Sequence, residues 1–330
     1  MLTRLGFKRR GTTPPLTFPP PAIGPKKSWA ERELPAELLK RLEFKVLRRL
    51  DGFLFGDYSG LFYGPSLDLA EVREYQPGDE VKRIDWNVTA RTGTVHIRQY
   101  REEREIVAWL LVDQSASMNF GTRRMQKRQL AKEFSALVAS ILTRQSNKVG
   151  TLSFSENHSG ITPLGSGRRQ ALSIVQMLEK TASTGNGVPT LAAALEHANR
   201  TLRRKSLIFV VSDFLNPSSQ VKDTPDWAKG LQRLAYKHDV IAVRISDPAE
   251  HDLAKVGDLR LRDPETGEEH WVNTSDPRVQ KAHAKLVSWR EETLARTFRA
   301  AHVDTLALST HEDMVKPLLG FTLKRSGRRL

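Results

Sequence analysis

The chain has 330 residues and a formal net charge of +14, and 39% of its residues are hydrophobic. This length predicts one large domain with a smaller appendage, and the apolar content is enough for a real core. Because cysteine is absent, disulfide frameworks, thiolate metal sites and cysteine nucleophiles are excluded, which suits a reducing compartment. No apolar run is long enough to span a bilayer, and the start MLTRLGFKRRG lacks the apolar centre of a secretory signal. We therefore expect a soluble, cytoplasmic protein.

The excess positive charge is concentrated at the two ends of the chain. Residues 1–30 contain six Lys and Arg side chains and residues 321–330 contain four, and neither segment has an acid. The middle of the chain is therefore close to neutral. We interpret both ends as solvated basic tails, with nonspecific polyanion binding as the alternative.

The first third of the chain predicts a linker, a helix and a small β unit. The stretch TTPPLTFPPPAIGP (12–25) is typical of an extended linker, and AELLKRLEFKVLRRL (36–50) has apolar residues at helical spacing. Residues 51–105 are rich in glycine, aromatic and charged residues, and alternation in TVHIRQY (94–100) predicts a strand. Residues 31–105 are therefore predicted to form a helix and a small β subdomain.

From Ile106 onward, short apolar runs alternate with helical stretches. The strand-like runs lie at 106–112, 148–154, 206–212, 239–245 and 303–309. Apolar stripes predict helices between Leu130 and Ile141 and between Leu191 and Leu202, and a late helix is expected at about 277–302. This alternation predicts a doubly wound α/β sheet with helices on both faces, over residues 106–320.

Two of these runs end in aspartate, in LLVDQSASM (110–118) and SLIFVVSDF (206–214). In a doubly wound sheet, ligands bind beyond the carboxyl ends of the strands, where the strand order reverses. We take the two runs as the first and fourth strands of the sheet, which are neighbours across this reversal if the strand order is 3-2-1-4-5-6. Asp113 and Asp213 then face one crevice.

Carboxylate and hydroxyl oxygens are the ligands of hard cations, so Asp113, Ser115, Ser117 and Asp213 suggest a site for Mg²⁺ or Mn²⁺. The serine hydroxyls are expected to bind the cation directly, and the two carboxylates through water. Such an ion is short of negative charge and accepts a carboxylate from another protein. The alternative is that Asp113, Ser115 and Ser117 only cap the following helix.

The motifs resemble two nested families. The D-x-S-x-S pattern, a threonine before a later helix and an aspartate after the fourth strand resemble the metal-ion-dependent adhesion site of von Willebrand factor A domains. Further stretches look more narrowly like the bacterial family called domain of unknown function fifty-eight, and this resemblance covers roughly residues 40–325. They are REYQPGDEVKRIDWNVTARTG (73–93), RQYREERE (98–105), SDPAEHDL (246–253) and DPETGEE (263–269).

This resemblance implies a von Willebrand A-like fold and a role in protein interaction. Members of the family are commonly encoded beside MoxR-type AAA+ ATPases, which implies an adaptor for such an ATPase or its client in protein maturation. It also implies Thr190 as a metal ligand. Many relatives have a G-T-D-L-type segment there, whereas this chain reads GVPTLAAAL (187–195), so that Pro189 stands where the threonine is expected. Thr190 is either a ligand or a helix N-cap.

Enzymatic functions are the alternative class. A haloacid-dehalogenase-like phosphatase needs a second acid two residues after its aspartate, where this chain has Ser115. A serine nucleophile needs an oriented base, and only His158 lies near the motif in sequence. P-loop, dinucleotide-binding and nucleophile-elbow motifs are absent. We therefore expect a non-enzymatic module, with a metal-dependent hydrolase or phosphatase as the alternative.

The segment PGDEVKRIDWNVTAR supplies a second set of candidate residues. They are Asp79, Arg83, Asp85, Trp86 and Arg91. They form either a partner surface or a structural ion-pair cluster that ties the small subdomain to the sheet, and we favour the structural interpretation.

Overall fold

The computed structural model describes one isolated residue, Glu37, which is helical, and a set of segments from residue 71 onward. These segments are 71–77, 79, 81, 84–99, 106–144, 147–155, 158–180, 190–215, 224–262 and 268–326. The predicted linker at 12–25 and, apart from Glu37, the predicted helix at 36–50 lie outside the described residues.

The small N-terminal unit consists of strand β1 (Glu71–Glu74), helix α1 (Trp86–Thr92) and strand β2 (His96–Gln99). The two strands pair antiparallel, which confirms the strand predicted at 94–100. Asp85 caps α1, because its carboxylate accepts hydrogen bonds from two backbone amides of the first turn.

The ion pair expected in this unit is local. Asp79 accepts two hydrogen bonds from the Arg73 guanidinium, at 2.9 and 2.7 Å, and this contact lowers the pKa of the Asp79 carboxyl. Trp86 and Arg91 are exposed. The contacts that we observe for Asp79 are with residues of the small unit, so they do not connect this unit to the sheet as expected. Arg83 lies outside the described residues.

The remaining elements form the large α/β domain. In chain order they are β3 (Val107–Asp113), α2 (Lys127–Arg144), β4 (Lys148–Ser155), β5 (His158–Gly165), α3 (Gly167–Lys180), α4 (Leu191–Thr201), β6 (Leu207–Ser212), α5 (Ala228–Lys237), β7 (Asp239–Ser246), β8 (Asp258–Arg262), β9 (Glu269–Asn273), α6 (Pro277–Ala300), β10 (Asp304–Ser309) and α7 (Val315–Ser326). Strands β8 and β9 form a separate antiparallel hairpin. No helix in the described segments combines the length and apolarity needed to cross a membrane.

The central sheet has the order β10-β7-β6-β3-β4-β5, and only β5 runs antiparallel to its neighbour. Counted within this sheet, the order is 3-2-1-4-5-6, which is the order under which Asp113 and Asp213 were expected to face one crevice. The predicted fold class is therefore confirmed. Strand β5 was not predicted, because Gly160, Pro163 and Gly165 interrupt its apolar pattern.

Two apolar layers cover the two faces of this sheet. Helices α2, α3 and α7 pack on one face, and α4, α5 and α6 pack on the other. Every residue of β6 is buried, as the unbroken apolar run LIFVV predicts for a strand covered on both sides.

The C-terminal helix corrects one predicted boundary. Helix α7 continues through Ser326, so residues 321–326 belong to the folded domain. Arg325 is 5% exposed and forms ion pairs with Asp239 and Asp304. The prediction of a solvated tail from residue 321 was wrong for residues 321–326. The basic composition alone does not indicate that Arg325 is buried and paired with two aspartates.

Candidate functional site at the strand switch

The candidate site lies at the carboxyl ends of β3 and β6. These strands are parallel neighbours, and Val112 pairs with Val211 in their register. From β3 the chain continues outward through β4, whereas β6 leads to β7 on the other side. Asp113 and Asp213 therefore leave the sheet at the point where the strand order reverses, as the sequence predicted.

Asp113 is a buried carboxylate held by two donors. It is 5% exposed, its Oδ1 accepts a hydrogen bond from the Ser115 amide at 2.9 Å, and its Oδ2 accepts one from the Ser212 hydroxyl at 2.6 Å. Burial, and next the charge of Asp213, raise the pKa of Asp113 to about 6, although the hydrogen bonds oppose this shift. This environment therefore disfavours the ionised form of Asp113.

The two serine hydroxyls of the motif converge. Ser115 Oγ and Ser117 Oγ are 3.1 Å apart, and Ser117 is buried while Ser115 is half-buried. Ser115 precedes a short 3-10 helix, Ala116–Asn119, yet its side chain makes no capping hydrogen bond there. Helix capping therefore does not account for the Ser115 hydroxyl.

Asp213 is buried against an ammonium group. It is 3% exposed, and its Oδ2 accepts a hydrogen bond from Lys127 Nζ at 2.6 Å. The same ammonium donates to Glu250 Oε1 at 2.5 Å. Burial alone would lower the pKa of Lys127, but the charges of Asp213 and Glu250 outweigh burial and raise it. Lys127 is therefore a charged residue of the site.

The turn after β6 is fixed by an aromatic cluster. Phe214 has a φ of +55°, a left-handed conformation that is unfavourable for a bulky side chain. Its amide donates to the Ser212 hydroxyl at 3.0 Å, and its ring packs edge-on against Trp227 and Phe298 at centroid distances of 5.3 and 5.0 Å. This packing holds Asp213 in position beside Asp113.

Thr190 is the N-cap of α4. Its Oγ1 accepts a hydrogen bond from the Ala193 amide at 3.3 Å, and the residue is half-buried. The capping interpretation of Thr190 is therefore observed. Pro189 lies outside the described residues.

Three charged residues of this edge were missed by the sequence argument. Lys127 pairs with both Asp213 and Glu250, while Asp247 accepts hydrogen bonds from the Thr122 amide and hydroxyl and from the Thr310 hydroxyl. Lys127 stands three residues before Leu130, on the apolar stripe of α2. A lysine on a buried stripe was the available signal for an internal ion pair.

The donor set matches a hard cation only in part. Asp113, Ser115 and Ser117 bring oxygen atoms together, which suits Mg²⁺ or Mn²⁺. Asp213 already forms an ion pair with the Lys127 ammonium. Across the described residues, no group of three or more His, Cys, Asp or Glu side chains is arranged to hold a metal ion, so a cation here depends on the serine hydroxyls.

The chain matches the model of the family described as "Protein of unknown function DUF58" over residues 71–293. An uncharacterized protein of Mycobacterium bovis is 34% identical over 291 residues, which cover 88% of this chain and 89% of the relative. Among solved structures, BatB from Bacteroides thetaiotaomicron has a TM-score of 0.40 at 12% identity, and 68% of this chain and 99% of that chain are covered. The SpRpn10 VWA domain has a TM-score of 0.35 at 14% identity, with 66% and 94% covered. Structural similarities this weak carry no inference about function.

Proposed function

The chain belongs to the DUF58 family and has a von Willebrand A-like fold, and we propose that it is a protein-interaction module whose binding depends on a divalent cation, Mg²⁺ or Mn²⁺. Asp113, Ser115 and Ser117 hold the cation, with Asp213 beside them and Thr190 as a candidate fifth ligand. The bound ion supplies a Lewis-acidic position that accepts a carboxylate of the partner. A MoxR-type AAA+ ATPase, or a client of that ATPase, is the proposed partner because of the family resemblance.

The observation that carries the proposal is the pair of serine hydroxyls beside a buried carboxylate. Ser115 Oγ and Ser117 Oγ are 3.1 Å apart, and the Ser115 amide is bound to Asp113. In addition, the raised pKa of Asp113 means that its environment disfavours the ionised carboxylate. A cation bound nearby stabilises this ionised form, so the carboxylate favours cation binding.

A metal-dependent hydrolase is supported less well by the same residues. A phosphatase of the haloacid-dehalogenase type requires a carboxylate where Ser115 stands. The Ser115 and Ser117 hydroxyls contact each other, and the Lys127 ammonium is engaged by two carboxylates. These contacts favour binding over a proton-transfer role.

Metal binding is tested with the full-length protein by thermal unfolding at increasing Mg²⁺ and Mn²⁺ concentrations. A cation that binds only the folded state stabilises it by about 2.7 kcal/mol at a hundredfold excess over Kd. The stabilisation should be reduced in Ser115→Ala and in Asp113→Ala, and retained in the control Ser288→Ala, because Ser288 is an exposed residue of α6. Equal stabilisation in all four proteins would show that the cation binds elsewhere.

A further inference from the structure

The Lys127 side chain lies beside one aspartate of the candidate cation site. Lys127 is the first residue of α2, and its side chain is 1% exposed. Its ammonium donates to Asp213 Oδ2 and to Glu250 Oε1, at 2.6 and 2.5 Å. The chain therefore brings its own cation to one of the two aspartates of the site.

The buried Lys127 ammonium depends on charged partners. A lysine is seldom fully buried without a partner, because removing its charge from water is unfavourable. Here the unfavourable burial is compensated by two carboxylates from different loops, since Asp213 follows β6 and Glu250 follows β7. The pairing therefore joins the two loops at the carboxyl edge of the sheet.

We propose that Lys127 is a resident cation that competes with the divalent ion for Asp213, and so keeps the affinity of the site for that ion low until a carboxylate of the partner is added. This inference rests on the proposed function. The reason is electrostatic: like charges in a poorly solvated site repel each other strongly, and Lys127 withdraws part of the negative charge of Asp213 from the ion.

Glu250 modulates the same competition in the opposite direction. Its carboxylate shares the ammonium with Asp213 and so leaves part of the Asp213 charge available. Without the Glu250 charge, Lys127 interacts with Asp213 alone. Neutralising Lys127 and neutralising Glu250 are therefore expected to change the affinity for Mg²⁺ in opposite directions, whereas structural damage would lower it in both variants.

The test is calorimetric titration of Mg²⁺ into the full-length protein, together with thermal unfolding with and without Mg²⁺. Lys127→Gln is expected to bind Mg²⁺ about tenfold more tightly than the wild type and to gain more thermal stability from it. Glu250→Gln is expected to bind about threefold more weakly. Lys132→Gln is the control, because Lys132 lies on the same helix and pairs with Glu179 instead.

Each outcome decides between the two proposals. If Lys127→Gln folds only in Mg²⁺, the competition is supported. If it does not fold at all, weaker Mg²⁺ binding by a Glu250→Gln variant whose thermal stability without Mg²⁺ equals that of the wild type supports it. The inference is overturned if Lys127→Gln binds Mg²⁺ with unchanged or lower affinity, or if Glu250→Gln binds Mg²⁺ with unchanged or higher affinity. In either case, binding of Mg²⁺ by the wild type still supports the proposed function. Binding by Lys127→Gln but not by the wild type supports the inference and overturns the proposed function. If neither protein binds Mg²⁺, both are wrong.

Discussion

The Asp247 side chain connects the segments that follow β3, β7 and β10 at the carboxyl edge of the sheet. It is fully buried, and its oxygens accept hydrogen bonds from the Thr122 amide and hydroxyl, the Thr310 hydroxyl and the Ala249 amide. Asp247→Ala would leave these donors without their acceptor. We expect a loss of about 3 kcal/mol in the free energy of unfolding, measured by urea denaturation. The exposed Asp258 provides the control Asp258→Ala, and equal stability of the two variants would contradict this account.

The same residue predicts a pH dependence. Burial would raise the pKa of Asp247, but the hydrogen bonds from Thr122 and Thr310 outweigh it and lower the pKa below its ordinary value of 3.8. A carboxyl with a lowered pKa stabilises the fold above its ordinary pKa, and that contribution is lost as the pH falls through the folded-state value. The stability difference between the wild type and Asp247→Asn should therefore shrink below about pH 4. A constant difference from pH 3 to pH 6 would show that folding does not lower the pKa of Asp247.

At the residue scale, the sequence identified the candidate site residues that stand at the end of a strand. Asp113 and Asp213 follow apolar runs, so the rule on strand ends located both. Lys127 and Glu250 were missed because they are 123 residues apart and meet only through the fold. Long-range pairs of this kind leave a weak signal in one sequence, here a lysine on an apolar stripe.

At the scale of single elements, Thr190 determines how α4 begins. Its hydroxyl accepts the Ala193 amide, so Thr190→Ala should lower the free energy of unfolding by about 1 kcal/mol. We also expect a smaller stabilisation by Mg²⁺, because Thr190 is the candidate fifth ligand. Thr190→Asn is the matched control for the cap, since asparagine is a preferred N-cap residue. A loss of stability with an unchanged Mg²⁺ response would restrict Thr190 to capping.

The end of α7 gives a second test at this scale. Arg325 is buried and pairs with Asp239 and Asp304, which are the first residues of the neighbouring strands β7 and β10. Removing the guanidinium breaks both of these ion pairs, so Arg325→Ala should destabilise the fold by about 3 kcal/mol. The adjacent Lys324 is exposed, and Lys324→Ala should change stability by less than about 0.5 kcal/mol. Similar melting temperatures of the two variants would mean that the helix end contributes little.

Elements were predictable where their apolar pattern is continuous. The runs at 206–212 and 239–245 became β6 and β7, and the stripe from Leu130 to Ile141 became α2. Strand β5 and the β8–β9 hairpin were missed, because they lie at an edge or outside the sheet and carry many exposed residues. Few of their residues are buried, so they lack the continuous apolar runs by which the central strands were identified.

At the scale of the whole molecule, the doubly wound topology brings residues from distant parts of the chain to one edge. Asp113 ends β3, Asp213 and Glu250 follow β6 and β7, and α2 supplies Lys127. The two layers of helices fix this edge from both faces of the sheet. In the proposed function, the binding residues lie at strand ends and on loops, and the sheet fixes their relative positions.

The most direct measurement is the binding of a purified MoxR-type AAA+ ATPase to the immobilised full-length protein, in Mg²⁺ and in EDTA. We predict binding in Mg²⁺, its loss in EDTA, and its loss in Ser115→Ala while Ser288→Ala binds normally. Binding of the same strength in EDTA, or by Ser115→Ala in Mg²⁺, would contradict a cation at Asp113, Ser115 and Ser117 as the contact with the partner. Absence of binding by the wild type in Mg²⁺ would contradict the proposed partner.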